Sequence, residues 1–378
     1  ANFRYASSSG RLSAMEMGRL LLEKVRVDQL ESAFIQFYAN LVLVLVSDPE
    51  PECRLKSADL LRELIKSASL ETKLQMVEYC KTWLSSNQKS KGSMLVRGGL
   101  EIAPMLLENL KDNDAGGLVK AIEQVSTVIL SSADKSNKDY TSEPIDWQLV
   151  YLSLGTNVGD IALIEGVLLF PHPWVRARAT RCIQELLTSK EYDQELLCRI
   201  GRKVVRQLGA PKLSPSDAKE SVKILVYIIP KITQSELEKL VTKICLLIRS
   251  DISSDDLKGG KTGCLQVLST IPKILPKESY MGLTSEIIRS LFVMIDQLEM
   301  ENAQEDLRNL AHEVLSIYDK ALGTSEYLRK YTEAKRQVQQ QRADRRAKRS
   351  IEAITAPELA ARKRMKKNKR GNGKKVSS

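Results

Sequence analysis

The sequence predicts an all-α chain: an array of paired helices, then one long charged helix, then a basic tail. Three observations lead there. Apolar residues recur at spacings of three and four, and no stretch alternates apolar with polar residues as a half-buried strand would. A proline-led segment returns after 122 positions. From Ala334 to Ala353 the composition turns from mixed apolar to little but charged residues, Gln and Ala. Aromatic residues make up only 5% against 43% hydrophobic, which favours Leu-rich helices over sheets. The boundaries read as 1–327 for the helical array, 328–353 for the charged helix and 354–378 for a disordered tail.

The elements follow in chain order. Ala14, Met17, Leu21 and Val25 mark one face of a first helix, widened by Leu20 and Leu22. An apolar helix follows over Phe34–Val46. It runs into Pro49–Ser67, PEPECRLKSADLLRELIKS. A second apolar helix, Ile161–Phe170, runs into Pro171–Ser189, PHPWVRARATRCIQELLTS. Between the two segments Pro49, Pro51, Arg54, Glu63, Leu64 and Ser67 align with Pro171, Pro173, Arg176, Glu185, Leu186 and Ser189. Proline closes one helix and starts the next, because the first turn makes no use of its missing N–H. Cys53, Ser57, Leu61, Leu64 and Ile65 then share a face, as do Val175, Ala179, Ile183, Leu186 and Leu187. The small residues Ser57 and Ala179 allow close helix approach. A weaker third copy is Leu307–Tyr318, with Arg308 in the arginine place and Ala311 in the small one. Paired helices with a Pro or Asp turn and a hydrophobe–Arg step resemble HEAT repeats. At about 40–47 residues each, seven or eight hairpins are expected across residues 1–325. Each needs its neighbours to bury its apolar face, so the array should stack as a solenoid. Loops are expected at Ser85–Ser93, Ser131–Pro144 and Ser250–Lys261.

Several chemistries find no support. The six cysteines (53, 80, 182, 198, 245 and 264) have no metal-ligand spacing and read as reduced core thiols of an intracellular protein. His172 and His312 lack convergent partners for a metal or a nucleophile, so no catalytic residue, metal or cofactor is expected. Gly259-Gly260-Lys261-Thr262 has the ending of a phosphate loop but not the earlier glycine or a preceding strand. Trp83, Trp147 and Trp174 read as core or groove anchors rather than a base-stacking platform. Arg54, Arg176 and Arg308 could form a phosphate-reading ladder; the better reading pairs each with an acidic or carbonyl group of the neighbouring turn. The longest apolar stretches are too short to cross a bilayer, so no membrane is expected as partner, and with no convergent polar groups no small-molecule substrate is expected either. The chain starts at Ala1 without an initiator Met, which suggests the C-terminal piece of a longer protein.

The charge is concentrated at one end. Residues 329–378 hold 18 Lys and Arg against four Asp and Glu, whereas residues 1–328 are nearly balanced. A one-signed run attracts phosphates whatever the base sequence, by releasing their condensed counterions. Two blocks are candidate RNA contacts. One is Arg342, Arg345, Arg346, Lys348 and Arg349; if helical, 342, 345, 346 and 349 share a face. The other is Arg362, Lys363, Arg364, Lys366, Lys367, Lys369 and Arg370. The absence of interleaved aromatics argues against base-specific readout. Arg345, Arg346, Lys348 and Arg349, separated by 12 residues from Arg362, together with Lys363, Arg364, Lys366 and Lys367 also suit a bipartite nuclear import signal. A cut after Thr332 is expected to leave the fold and its melting temperature nearly intact.

Particular segments resemble a known family. FPHPWVRARATRCIQELL (170–187), GRLSAMEMGRLLLEKV (10–25), GSMLVRGGLEIAPMLLE (92–108) and GRKVVRQLGAPKLSP (201–215) are similar to stretches of the U3 small nucleolar RNA-associated protein 20 family, also called the down-regulated in metastasis family. The most specific stretch is 323–370, which resembles that family's closing helix and basic tail. The resemblance implies a non-catalytic solenoid scaffold of the small-subunit processome in the nucleolus of the nucleus. Its partners would be precursor ribosomal RNA, U3 small nucleolar RNA, or both, with other processome proteins, in maturation of 18S rRNA. The tail from Arg342 to Arg370 would touch RNA or ribosomal proteins. The competing expectation is a protein-only HEAT scaffold or adaptor whose tail serves nuclear localisation.

Overall fold

The structure is a computed structural model that describes Phe3, residues 5–25, 27–86, 91–138, 145–155, 160–250, 255–301 and 304–355, with Glu358 and Met365 beyond. Every regular element among these residues is helical. The chain divides into two units, Ala1–Glu191 and Tyr192–Ser378.

The first unit holds α1 (Ser8–Lys24), α2 (Val27–Ser47), α3 (Pro51–Ser67), α4 (Leu70–Leu84), α5 (Lys91–Leu107), α6 (Asp112–Lys138), α7 (Trp147–Ser153), α8 (Ile161–Gly166) and α9 (Pro173–Ser189). They pack as two rows. Helices α1, α3, α5, α7 and α9 stack successively in one, and α2, α4, α6 and α8 in the other. Across the rows α2 meets α3, α4 meets α5, α6 meets α7 and α8 meets α9.

The second unit repeats the scheme with α10 (Gln194–Leu208), α11 (Pro215–Ile228), α12 (Gln234–Arg249), α13 (Lys258–Ile274), the single-turn α14 (Lys277–Met281), α15 (Thr284–Glu301), α16 (Glu305–Leu322) and α17 (Thr324–Thr355). Here α10, α12, α15 and α17 form one row, and α11, α13 and α16 the other. Among the described residues there are thus four hairpins in one unit and three in the other. This repeated helix-on-helix packing is consistent with a HEAT-like solenoid.

Local chemistry starts the helices where the chain turns. Side chains of Ser7, Ser69, Asp146, Asp160, Asp193, Ser214 and Thr233 accept backbone N–H bonds from the first turns they precede. Pro51 and Pro173 open α3 and α9. The arginine of each repeat then closes the turn. Arg54 Nη1 donates to the carbonyls of Asp48 (2.5 Å) and Pro49 (3.1 Å). Arg176 Nη1 donates to those of Phe170 (2.9 Å) and Pro171 (2.6 Å). One guanidinium thus satisfies two turn carbonyls in the same way, 122 residues apart. Arg308 does not repeat this: it lies 3.8 Å from Glu305, one turn away on its own helix. Ser57, Ala179 and Ala311 are all fully buried, and Ser57 Oγ donates to the Leu41 carbonyl (2.7 Å).

Some expectations shift. The buried face of α1 is Arg11, Met15 and Gly18, while Met17 and Leu20 are exposed. A buried arginine misleads an apolar count. Here Arg11 is admissible because its Nη2 donates to Asp48 (3.0 Å) and its Nη1 to the Tyr5 and Ala6 carbonyls (2.8 and 3.0 Å). Helix α6 runs through the expected loop at 131–144 as far as Lys138, because Ile129, Leu130 and Ala133 continue its buried stripe beneath a Ser-rich surface. Residues 139–144 lie outside the described residues, as do 87–90 and 251–254 of the other two loops. Helix α13 already begins at Lys258. Helix α8 stops at Gly166, short of the expected Phe170.

Candidate nucleic-acid interface

The basic block at 342–349 lies on α17. That helix is amphipathic only in its first half. Lys330, Ala334 and Val338 are buried at spacings of four, and nothing after them is. Lys330 Nζ reaches the Met281 carbonyl and Ser285 Oγ, each at 3.3 Å. Tyr331 meets Phe292 edge-on, with ring centres 5.7 Å apart. Further along, Arg342 donates through both terminal nitrogens to the Asp296 carboxylate. The charge-assisted hydrogen bond to Asp296 raises the pKa of Arg342.

The three contacts advance together along α15, so the two helices run side by side in the same direction. After Asp296, α15 has only five residues left, whereas α17 continues for 13 after Arg342. At 1.5 Å per residue, α17 outruns its neighbour by roughly 12 Å.

The four remaining cations of the block, Arg345, Arg346, Lys348 and Arg349, are exposed. Asp344 is the single acidic residue among them and accepts a bond from Gln340 Nε2 (2.9 Å). Sequence periodicity placed Arg342 on one face with Arg345, Arg346 and Arg349. The guanidinium of Arg342 is engaged by Asp296, a partner 46 positions away that no local pattern reveals. The second block, Arg362, Lys363, Arg364, Lys366, Lys367, Lys369 and Arg370, lies outside the described residues, and so does the downstream half of the candidate import signal.

Docking of α17 also revises the expected cut. Thr332 precedes Ala334, Val338 and Arg342, so a chain ending there loses packed residues and not only a tail.

Other candidate chemistry resolves into packing. Gly259 and Gly260 start α13 against the end of α10. A Cβ on Gly260 would fall 1.8 Å from the Leu208 carbonyl oxygen, so that glycine is there for backbone approach, and the neighbouring Lys261 is buried. Burial pushes the thiols of Cys80, Cys245 and Cys264 up to about 12. His172 stacks flat on Trp147, with ring centres 3.9 Å apart, and His312 is exposed. Trp174, expected as an anchor, packs edge-on against both rings yet is 62% exposed. Trp83 stacks on the buried Tyr38. Among the described residues no group of three His, Cys, Asp or Glu could hold a metal ion. No described helix is long and apolar enough to cross a membrane.

Comparison with known proteins gives this helical array a family. Over 99% of its length the chain is 28% identical to U3 small nucleolar RNA-associated protein 20 of Saccharomyces cerevisiae. Over 96% it is 23% identical to the protein of the same name from Schizosaccharomyces pombe. It spans 16% of the length of each. Among solved structures, Kap121p bound to Pho4p is similar over 93% of this chain and 35% of its own, with 12% identity and a TM-score of 0.41. An engineered protein is similar over 88% of this chain and 90% of its own, with 13% identity and a TM-score of 0.37. Likeness at that level carries no conclusion. The profile described as small subunit processome component 20 homolog, C-terminal, matches residues 184–376, which takes in α10 to α17 and the basic tail. The chain therefore belongs to the C-terminal family of small subunit processome component 20 homologues.

Proposed function

We propose that this chain is a non-catalytic scaffold segment of the small-subunit processome in the nucleolus. The helical units hold partner proteins, and the overhanging end of α17, with the basic segment beyond it, contacts precursor ribosomal RNA or U3 RNA during 18S rRNA maturation. The observation that carries the reading is the docking of α17. Its first half is packed on α15, and its second half presents Arg345, Arg346, Lys348 and Arg349 to solvent. A helix already ordered before binding meets phosphates at less entropic cost than a free tail. The family membership and the names of the two relatives support the same assignment. The segment after Pro357 adds cations for RNA and for nuclear import.

The test is crosslinking of the tagged chain to RNA in cells, with the bound RNA sequenced. Intact protein is compared with a chain ending at Ala343, which keeps the packed half of α17. Enrichment of precursor ribosomal RNA or U3 RNA that drops on truncation is expected. Enrichment that survives moves the contact to the helical units. No enrichment above background overturns the RNA contact and leaves a protein-only scaffold.

A further inference from the structure

We propose that the first unit carries a docking groove for an acidic, apolar-anchored peptide segment of a partner protein. The groove has a volume of about 520 Å³ and is walled by α3, α5, α7 and α9. Its apolar surface comes from Leu55, Leu100, Pro104, Met105 and Leu152, and Leu55 on α3 is 68% exposed. A leucine so exposed beside a cavity offers a partner side chain apolar area to bury.

The charge at the groove has one open place. Arg54 is committed to two turn carbonyls, and Arg62 pairs with Asp59 at 3.0 Å. Glu101, the one carboxyl of the lining, is raised by burial and pulled down by Arg97 and Arg54. Arg178 is different. Its guanidinium carbon lies 4.3 Å from the centre of the Tyr151 ring, and a Cβ on Gly155 would fall 2.0 Å from its Nη2. The ring and the bare glycine backbone thus fix the guanidinium in place. No carboxylate pairs with it among the described residues. An immobilised guanidinium with no carboxylate partner among the described residues, at the edge of an apolar groove, is a site for an incoming carboxylate.

The occupant is a protein segment rather than a nucleic acid. None of the lining residues is aromatic, so the groove has no platform on which a base could stack. Its aliphatic floor instead suits a Leu, Met or Phe side chain flanked by Asp or Glu. This groove lies in the first unit and does not depend on the RNA reading of α17.

The test is selection of random 12-residue displayed peptides on the intact 378-residue chain, with Leu55→Glu and Arg178→Glu as separate comparisons. The expected winners carry a large apolar residue flanked by Asp or Glu. A synthetic winner should bind at least tenfold more weakly to either variant, and Arg178→Lys should recover only part of the loss. Leu55 is at the surface, so Leu55→Glu decides the matter should Arg178→Glu fail to fold. Absence of any enriched sequence, winners without acidic residues, or equal binding to wild type and Leu55→Glu overturns the proposal. Binding of a uridine 12-mer to wild type that is lost in both variants assigns the groove to RNA and overturns it equally.

Discussion

Cutting the chain within α17 separates a packed helix from a projecting one, and position decides the outcome. Ending the chain after Thr332 removes Ala334 and Val338, 4% and 5% exposed, together with the Arg342–Asp296 pair. Burial of a valine side chain contributes about 1.5–3 kcal/mol, and the alanine methyl about 0.8 kcal/mol. The Arg342–Asp296 pair is about one-third exposed and adds at most about 1 kcal/mol. The loss is then roughly 2–5 kcal/mol, all of it in the second unit. For a unit of this size each kcal/mol moves the melting temperature by about 2–4 °C, so a fall of roughly 4–20 °C is expected. Ending the chain after Ala343 removes only surface residues among those described and should shift the midpoint by no more than about 1 °C. Scanning calorimetry of the three chains measures this. Equal midpoints for the Thr332 and Ala343 cuts would show that residues 333–343 do not pack on α15, and the account of α17 would fall.

Two further outcomes follow from the turns and the core. Replacing Arg54 or Arg176 with Ala strips two carbonyls of a charged donor, and each change should lower stability by about 1–3 kcal/mol in denaturant titrations. Lysine, a point charge, should restore only part of it; full recovery with Lys would mean that forked geometry is irrelevant. The buried thiols predict both reactivity and pH dependence. Cys80, Cys245 and Cys264 stay protonated in the fold up to about 12, whereas an unfolded chain releases such protons near the ordinary thiol value of 9.0. The unfolded state therefore binds fewer protons between these limits, and stability should decline as pH rises from 9 towards 12. At pH 8 the three thiols should resist maleimide in the native protein and react in denaturant. Labelling at the native rate of an exposed thiol would contradict their burial.

How much was legible in the sequence depended on whether the cause was local. The two proline-led repeats were legible because proline, arginine, a small residue and a leucine stripe each act within a turn or two of their own position. Pro51 and Pro173 do open helices, and Arg54 and Arg176 do close turns. The face of α1 was not legible, because a buried arginine answers to an aspartate 37 residues away. The extension of α6 through Lys138 was hidden by serines on its outer side. The same blindness touched the basic block. Charge composition singled out residues 342–349 but could not tell Arg342, held by Asp296, from Arg345 and its neighbours, which have solvent around them. Nothing in the sequence pointed to the groove of the first unit. Leu55 and Arg178 meet there only because α3, α5, α7 and α9 stack.

The division of α17 into a docked half and an overhanging half bears on where specificity could come from. Arg345, Arg346, Lys348 and Arg349 span about 6 Å of helix axis at 1.5 Å per residue. A duplex presents one phosphate charge per roughly 1.7 Å, so such a cluster matches a few phosphates of any sequence. Contact of that kind has affinity and strong salt dependence but no register of its own. Register must then come from whatever orients the helix: its packing on α15 and α16, the contact of Lys330 with Met281 at the end of α14, and those of Lys330 with Ser285, Tyr331 with Phe292 and Arg342 with Asp296 on α15. In the proposed scaffold, placement of the basic end on RNA is inherited from the helical unit beneath it and from the proteins that unit holds. A flexible linker inserted after Ala343 should therefore keep non-specific RNA affinity in vitro while scattering the positions of crosslinks in cells. Unchanged positions would mean that the basic segment finds its site unaided.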